Sequence, residues 1–79
     1  MRVSFSSMIR VGDGPDSIEI EAVTVDEMMQ SLLLRYPDFQ EHLDRGVAVS
    51  INGQIFRDDW TIAIPNDAEV FLIPRIEGG

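Results

Sequence analysis

The residues whose chemistry stands out first close the chain: Gly78-Gly79, behind Pro74-Arg75-Ile76-Glu77. A carboxylate at a chain end resists nucleophiles until it is activated, for instance as an acyl-adenylate. An enzyme that activates it must take the end into a narrow, water-poor site. Two residues without Cβ let the backbone pass close to enzyme and nucleotide at little steric cost. The same lack of bulk lets the end reach out from a rigid body. Alone, the pair is a modest signal, because a frayed terminus reads the same way.

The other reactive residue types are sparse. His42 is the single histidine and lies among acids, so a solvated role outweighs a ligand role; a metal site wants several converging ligands. Asp58-Asp59 lacks the glycine-spaced loop of a cation site and reads as a solvated turn. Gly12-Asp13-Gly14 lacks the lysine and following helix of a phosphate loop. Met28 and Met29 are most simply core filler. No metal is expected.

Composition narrows the class further. Seventy-nine residues make one domain, and 44% hydrophobic content suffices for a core but not for a large internal cavity. The chain has no cysteine, which excludes disulfides, thiolate metal sites and cysteine nucleophiles. No stretch approaches the roughly 20 apolar residues of a membrane span, and the first residues lack the apolar core of a secretory signal. A soluble cytoplasmic protein is the expectation. Fourteen acidic against six basic residues give a net charge of −8, so nucleic acid and anionic membranes are poor partners. A protein with a basic docking surface suits it better.

The elements that must position the tail can be read from periodicity. Arg2 to Val11 looks β-like, with Val3, Phe5, Ile9 and Val11 on one face and Ser4, Ser6, Met8 and Arg10 on the other. Gly12 to Asp16 is a turn, and Ser17 to Val23 alternates Ile18, Ile20 and Ala22 against Glu19 and Glu21. These two segments form a hairpin. Thr24-Val25-Asp26-Glu27 is a capping box that opens a helix. Its apolar stripe is Val25, Met28, Met29, Leu32, Leu33 and Tyr36, and Pro37 stops it. Asp38 to Asp44 forms one more short helical turn, with Phe39 and Leu43 inward.

Gly46 opens a third strand carrying Val47, Val49 and Ile51, and Asn52-Gly53 is a strong hairpin turn leading to a short strand, Gln54 to Arg57. Asp58 to Ala68 is irregular, with Trp60, Ile62 and Ile64 at the core edge, and Glu69 to Ile73 is the last strand. Hairpin, helix, hairpin, strand is an α+β order. It predicts a β-grasp, ubiquitin-like fold: a mixed sheet of four to five strands with one main helix across one face. The domain spans 1–79, with 74–79 a flexible tail.

One more feature bears on function. If Val70 and Leu72 face the helix, Phe71 and Ile73 point to the opposite side. One-sided sheets put polar residues there, so an apolar pair beside the tail predicts a partner-facing patch, extended by Met8 and Ala48.

The stretch Glu69-Val70-Phe71-Leu72-Ile73-Pro74, closing on Gly78-Gly79, resembles the C-terminus of the ubiquitin-like sulfur carriers. These include the small subunit of molybdopterin synthase and the thiamine-pathway carrier. Ile9-Arg10, Tyr36-Pro37 and Val47-Ala48-Val49-Ser50-Ile51-Asn52-Gly53 are similar to the synthase small subunit in particular, and the resemblance covers essentially the whole chain. It implies a carrier and not an enzyme, with no stably bound cofactor. A ubiquitin-activating-type enzyme would spend ATP to adenylate the Gly79 carboxyl, and a sulfur donor would convert it to a thiocarboxylate. An acceptor enzyme, in the synthase case its large subunit, would take the sulfur in molybdenum cofactor biosynthesis. Gly79 then bears the reacting carboxyl, Gly78 is the neck behind it, and Phe71, Ile73, Pro74, Arg75, Ile76, Glu77 and Met8 meet the partner. Many synthase small subunits carry two prolines where this chain has Pro74-Arg75, which leaves the acceptor open. The alternatives are supply of thiamine or another sulfur-containing metabolite, a protein modifier joined through Gly79, and an interaction module whose glycines are incidental.

Overall fold

The computed structural model describes residues 1–57 and 59–75. Strands β1 (Arg2–Phe5) and β2 (Ser17–Glu19) pair antiparallel, and helices α1 (Val25–Arg35) and α2 (Phe39–Arg45) follow. Strands β3 (Val47–Ile51) and β4 (Gln54–Phe56) form the second hairpin, and β5 (Glu69–Pro74) is last. The sheet order is β2-β1-β5-β3-β4, with β5 parallel to β1 and antiparallel to β3. This is the β-grasp arrangement: a mixed five-stranded sheet whose last strand runs through the middle.

Local chemistry explains the helix. The Thr24 hydroxyl accepts the Glu27 N–H at 3.2 Å, and the Glu27 carboxylate reaches back to the Val23 N–H at 3.2 Å. A helix leaves its first amides unpaired. Here the 57–68 connection supplies acceptors for two of them: Val25 N–H donates to Ile62 at 3.1 Å and Asp26 N–H to Trp60 at 2.9 Å. The irregular segment is therefore a strap over the start of α1. Val25, Met28, Met29 and Leu32 are buried against Val3, Val49, Val70 and Leu72 of the sheet. Among the described residues every buried side-chain nitrogen or oxygen has a hydrogen-bond partner.

Three expectations need correction. The first strand ends at Phe5 and does not run to Val11. Ser6 closes a turn instead, its carbonyl accepting the Ile9 N–H at 2.9 Å and its hydroxyl the Met8 N–H at 3.3 Å. Serine competes for nearby backbone donors in this way, and that breaks the ladder. Ile9 and Val11 are buried nonetheless, from irregular backbone. The second strand ends at Glu19 and not Val23, because its partner β1 begins at Arg2. Ile20 still turns inward and Glu21 outward. The second helical piece is a full helix of seven residues, α2, with Phe39 wholly buried and Leu43 partly so.

Candidate functional site

The strand that leads to the tail lies at the centre of the sheet, flanked by β1 and β3. Alternation along it is clean. Val70 and Leu72 are buried under the helix, whereas Phe71 is 42% exposed on the opposite face and Ile73 is half-buried beside it. Both large side chains have small cross-strand neighbours: Phe71 stands between Ser4 and Ser50, and Ile73 is opposite Ala48. Small neighbours leave a large ring uncovered on a sheet surface. The row continues outward to Ser17 on one edge and Ile55, itself 56% exposed, on the other.

Ile55 is the residue that the sequence pattern did not single out. Its signal was present, since the Asn52-Gly53 turn sets the register of its hairpin. Ile51 faces the core, so Ser50 and its partner Ile55 must face away. Asn52 takes φ 51° and Gly53 φ 88°, as a two-residue turn of this kind requires.

Toward the tail, Ala48, Ile55, Arg57, Ile73, Pro74 and Arg75 line a shallow hollow on the outer face. A second hollow, lined by Met8, Ile9, His42, Arg45, Gly46, Val47 and Pro74, lies on the other side of Pro74. Met8 is thus placed beside the root of the tail, 73% exposed in a turn, and not in the row of Phe71 as alternation along an unbroken strand would put it. Ala48 is buried, so it forms the floor of the first hollow. Three of the chain's six arginines, Arg45, Arg57 and Arg75, line these two hollows. The root of the tail is therefore locally cationic on a body of net charge −8.

Pairing reaches further along the chain than the last alternating residues. Pro74 closes β5 opposite Val47, and the Arg75 N–H donates to the Gly46 carbonyl at 2.9 Å. The tail expected over 74–79 overlaps this pairing at its first two residues. Ile76, Glu77, Gly78 and Gly79 lie outside the described residues, as does Asp58.

The weaker candidates resolve quietly. His42 is half-buried and not simply solvated: its Nε2 donates to the Arg10 carbonyl at 2.9 Å, tying α2 to the segment after β1. Asp59 accepts the Thr61 N–H at 3.0 Å and the Thr61 hydroxyl at 2.5 Å, which hold its carboxyl below the ordinary aspartate value. No group of three metal-ligating side chains occurs among the described residues. No described helix is long and apolar enough to cross a membrane.

Comparison with known proteins gives two findings. Residues 10–79 match the family model described as the ThiS family. A chain from the crystal structure of the Amycolatopsis orientalis BexX/CysO complex shares the fold with a TM-score of 0.77 and 22% identity, over 99% of this chain and 98% of that one. The comparison with curated proteins returned no match.

Proposed function

The chain belongs to the ThiS family of ubiquitin-like sulfur carriers, and from that premise we propose that it carries sulfur as a thiocarboxylate on Gly79. The observation that carries this reading is the diglycine end issuing from the central strand of a β-grasp sheet. A rigid body holds the chain up to Arg75, and the residues beyond include the two without side chains. A partner enzyme supplies the catalytic groups. It adenylates the Gly79 carboxyl with ATP; a sulfur donor then displaces AMP, and an acceptor enzyme takes the sulfur.

The docking surface we assign is the outer face beside the tail: Phe71, Ile73 and Ile55, with Met8, Pro74 and Arg75 around the root. An exposed ring between two serines is the sort of knob that a partner's pocket buries. The related fold of the BexX/CysO complex was crystallised with a protein partner, which agrees with an assembly role. Within the family, the resemblance at Tyr36-Pro37 and Val47 to Gly53 favours molybdopterin synthase as the destination.

Intact mass spectrometry tests the carrier chemistry. Incubation with an adenylating enzyme of the ubiquitin-activating type, ATP and a sulfur donor is expected to exchange one oxygen for sulfur at the C-terminus. A Gly79 deletion should abolish the exchange. An unmodified wild-type mass, under conditions that convert a control carrier, would overturn the reading. Isopeptide adducts that depend on Gly79 in cell extract would point instead to a protein modifier.

A further inference from the structure

All six basic residues of the chain are arginines: Arg2, Arg10, Arg35, Arg45, Arg57 and Arg75. The sequence holds no lysine and no cysteine. For a protein that carries an activated acyl group at its own end, this composition has a chemical consequence, and it rests on the reading above. We propose that the body is built without side-chain amines or thiols, so that the activated Gly79 carbonyl is not captured as a stable amide or thioester by the carrier itself or by a second copy.

The capturing reaction is simple to write. An amine nitrogen attacks the carbonyl carbon of the acyl-adenylate, the new C–N bond forms, and the C–O bond to AMP breaks. AMP leaves with the electron pair, and the amine gives up a proton to solvent. Lysine supplies such an amine from the small neutral fraction of its ammonium. Arginine does not, because its guanidinium stays protonated at any physiological pH. Six arginines therefore supply positive charge, three of them at the tail's root, without supplying a nucleophile. A thiol would be the faster acceptor, and none exists.

The amine at Met1 is engaged by the body and lies out of reach of its own chain's tail. It donates to the Ile20 carbonyl at 3.1 Å and faces the Glu19 carboxylate at 3.6 Å. Strand β1 runs parallel to β5 with Arg2 opposite Glu69, so Met1 lies level with the start of β5, at the far end from the tail. Six residues of strand separate that level from Pro74, about 20 Å at strand rise. Beyond Arg75, held at Gly46, four residues reach at most about 14 Å even if fully extended. Hydroxyls are poor nucleophiles unless a base takes the proton. The hydroxyl of Thr61 does meet a carboxylate, Asp59, but one whose affinity for a proton is lowered.

The test uses the full chain carrying a C-terminal thioester of mercaptoethanesulfonate, which needs no activating enzyme. Incubated alone at high concentration, the wild-type thioester is expected only to hydrolyse to the free acid. Arg45→Lys puts an amine at the exposed end of α2, next to the residue that holds Arg75. Its thioester should give a new species, either lighter than the free acid by one water or of two chains less one water. Wild-type adducts of either kind would overturn the proposal. So would an Arg45→Lys thioester that yields only free acid, because the missing amine would not then be what protects the chain. Failure of the carrier reading shows separately, as an unchanged C-terminus in the sulfur-exchange experiment.

Discussion

The Arg75 N–H donates to the Gly46 carbonyl at 2.9 Å, and this bond joins the last described residue of the chain to the cap of α2. Gly46 takes φ 104°, a conformation that residues with side chains avoid, and an added Cβ would lie 3.2 Å from the Arg75 Cβ. The glycine lets α2 end and β3 begin while the tail passes close by. Gly46→Ala is expected to lower stability by about 1–3 kcal/mol, the usual range for a strained backbone. It should also slow sulfur loading, because the tail's root is displaced. Thermal unfolding and the rate of C-terminal mass gain measure the two effects. An unchanged rate would show that partners do not read the position of Arg75.

Phe71 and Leu72 are adjacent, yet the sheet gives them opposite tasks. Leu72 is fully buried between sheet and helix, and Phe71 is 42% exposed on the opposite face of the sheet. Leu72→Ala should cost about 2–5 kcal/mol of stability, as truncation in a packed core does. Phe71→Ala should leave the melting temperature almost unchanged but weaken partner binding by about 2 kcal/mol, roughly 30-fold in Kd, if the ring is an anchor. Calorimetry against the activating enzyme, beside a melting curve, separates the two. A Phe71→Ala variant that binds at full strength would remove this face from the docking surface.

Much of the architecture was legible in the residues because local and global preferences agreed. The capping box at Thr24, the stop at Pro37 and the Asn52-Gly53 turn each have a single good solution, and the structure adopts it. The mixed sheet with a helix across one face followed from the order of elements, whereas the central place of β5 emerged only from the strand pairing. The strand ends were harder to read. Ile9 and Val11 kept the alternation of a strand while Ser6 turned the chain, so burial periodicity outlasted the ladder. Met8 was misplaced for that reason. Ile55 was readable from hairpin register, but only once Ile51 was fixed as a core residue. The cationic root of the tail was not visible in the net charge, because Arg45, Arg57 and Arg75 come together only through the sheet and α2.

Gly12 and Tyr36 make the second close approach. A Cβ at Gly12 would come 2.5 Å from the Tyr36 Cε1 and 2.7 Å from its Cδ1, and Gly12 also takes φ 52°. The ring packs over this turn and holds the segment after β1 against the end of α1. Gly12→Ala is expected to cost about 2 kcal/mol or more, since the ring must move and the backbone is strained. Gly14 also has positive φ but open space around it, so Gly14→Ala should cost less. Equal losses in chemical denaturation would show that backbone strain alone, and not the ring, sets the penalty.

Asp59 offers a test of the strap that caps α1. Two donors from Thr61 stabilise its charged form, so its folded-state pKa lies below its unfolded value. The sign follows from linkage: a depressed carboxyl contributes stability that is fully present above its unfolded pKa. That contribution is lost as the pH falls through the folded value. Carboxyl NMR should find Asp59 titrating below the usual aspartate range. Thr61→Val removes the hydroxyl donor and leaves the N–H, so the midpoint should rise part of the way back. Because Asp59 is exposed, the same variant should hardly move stability at neutral pH. A midpoint that stays put after Thr61→Val would mean that the hydroxyl contact is not formed in solution, and the strap's turn would then be held by its backbone bonds to Val25 and Asp26.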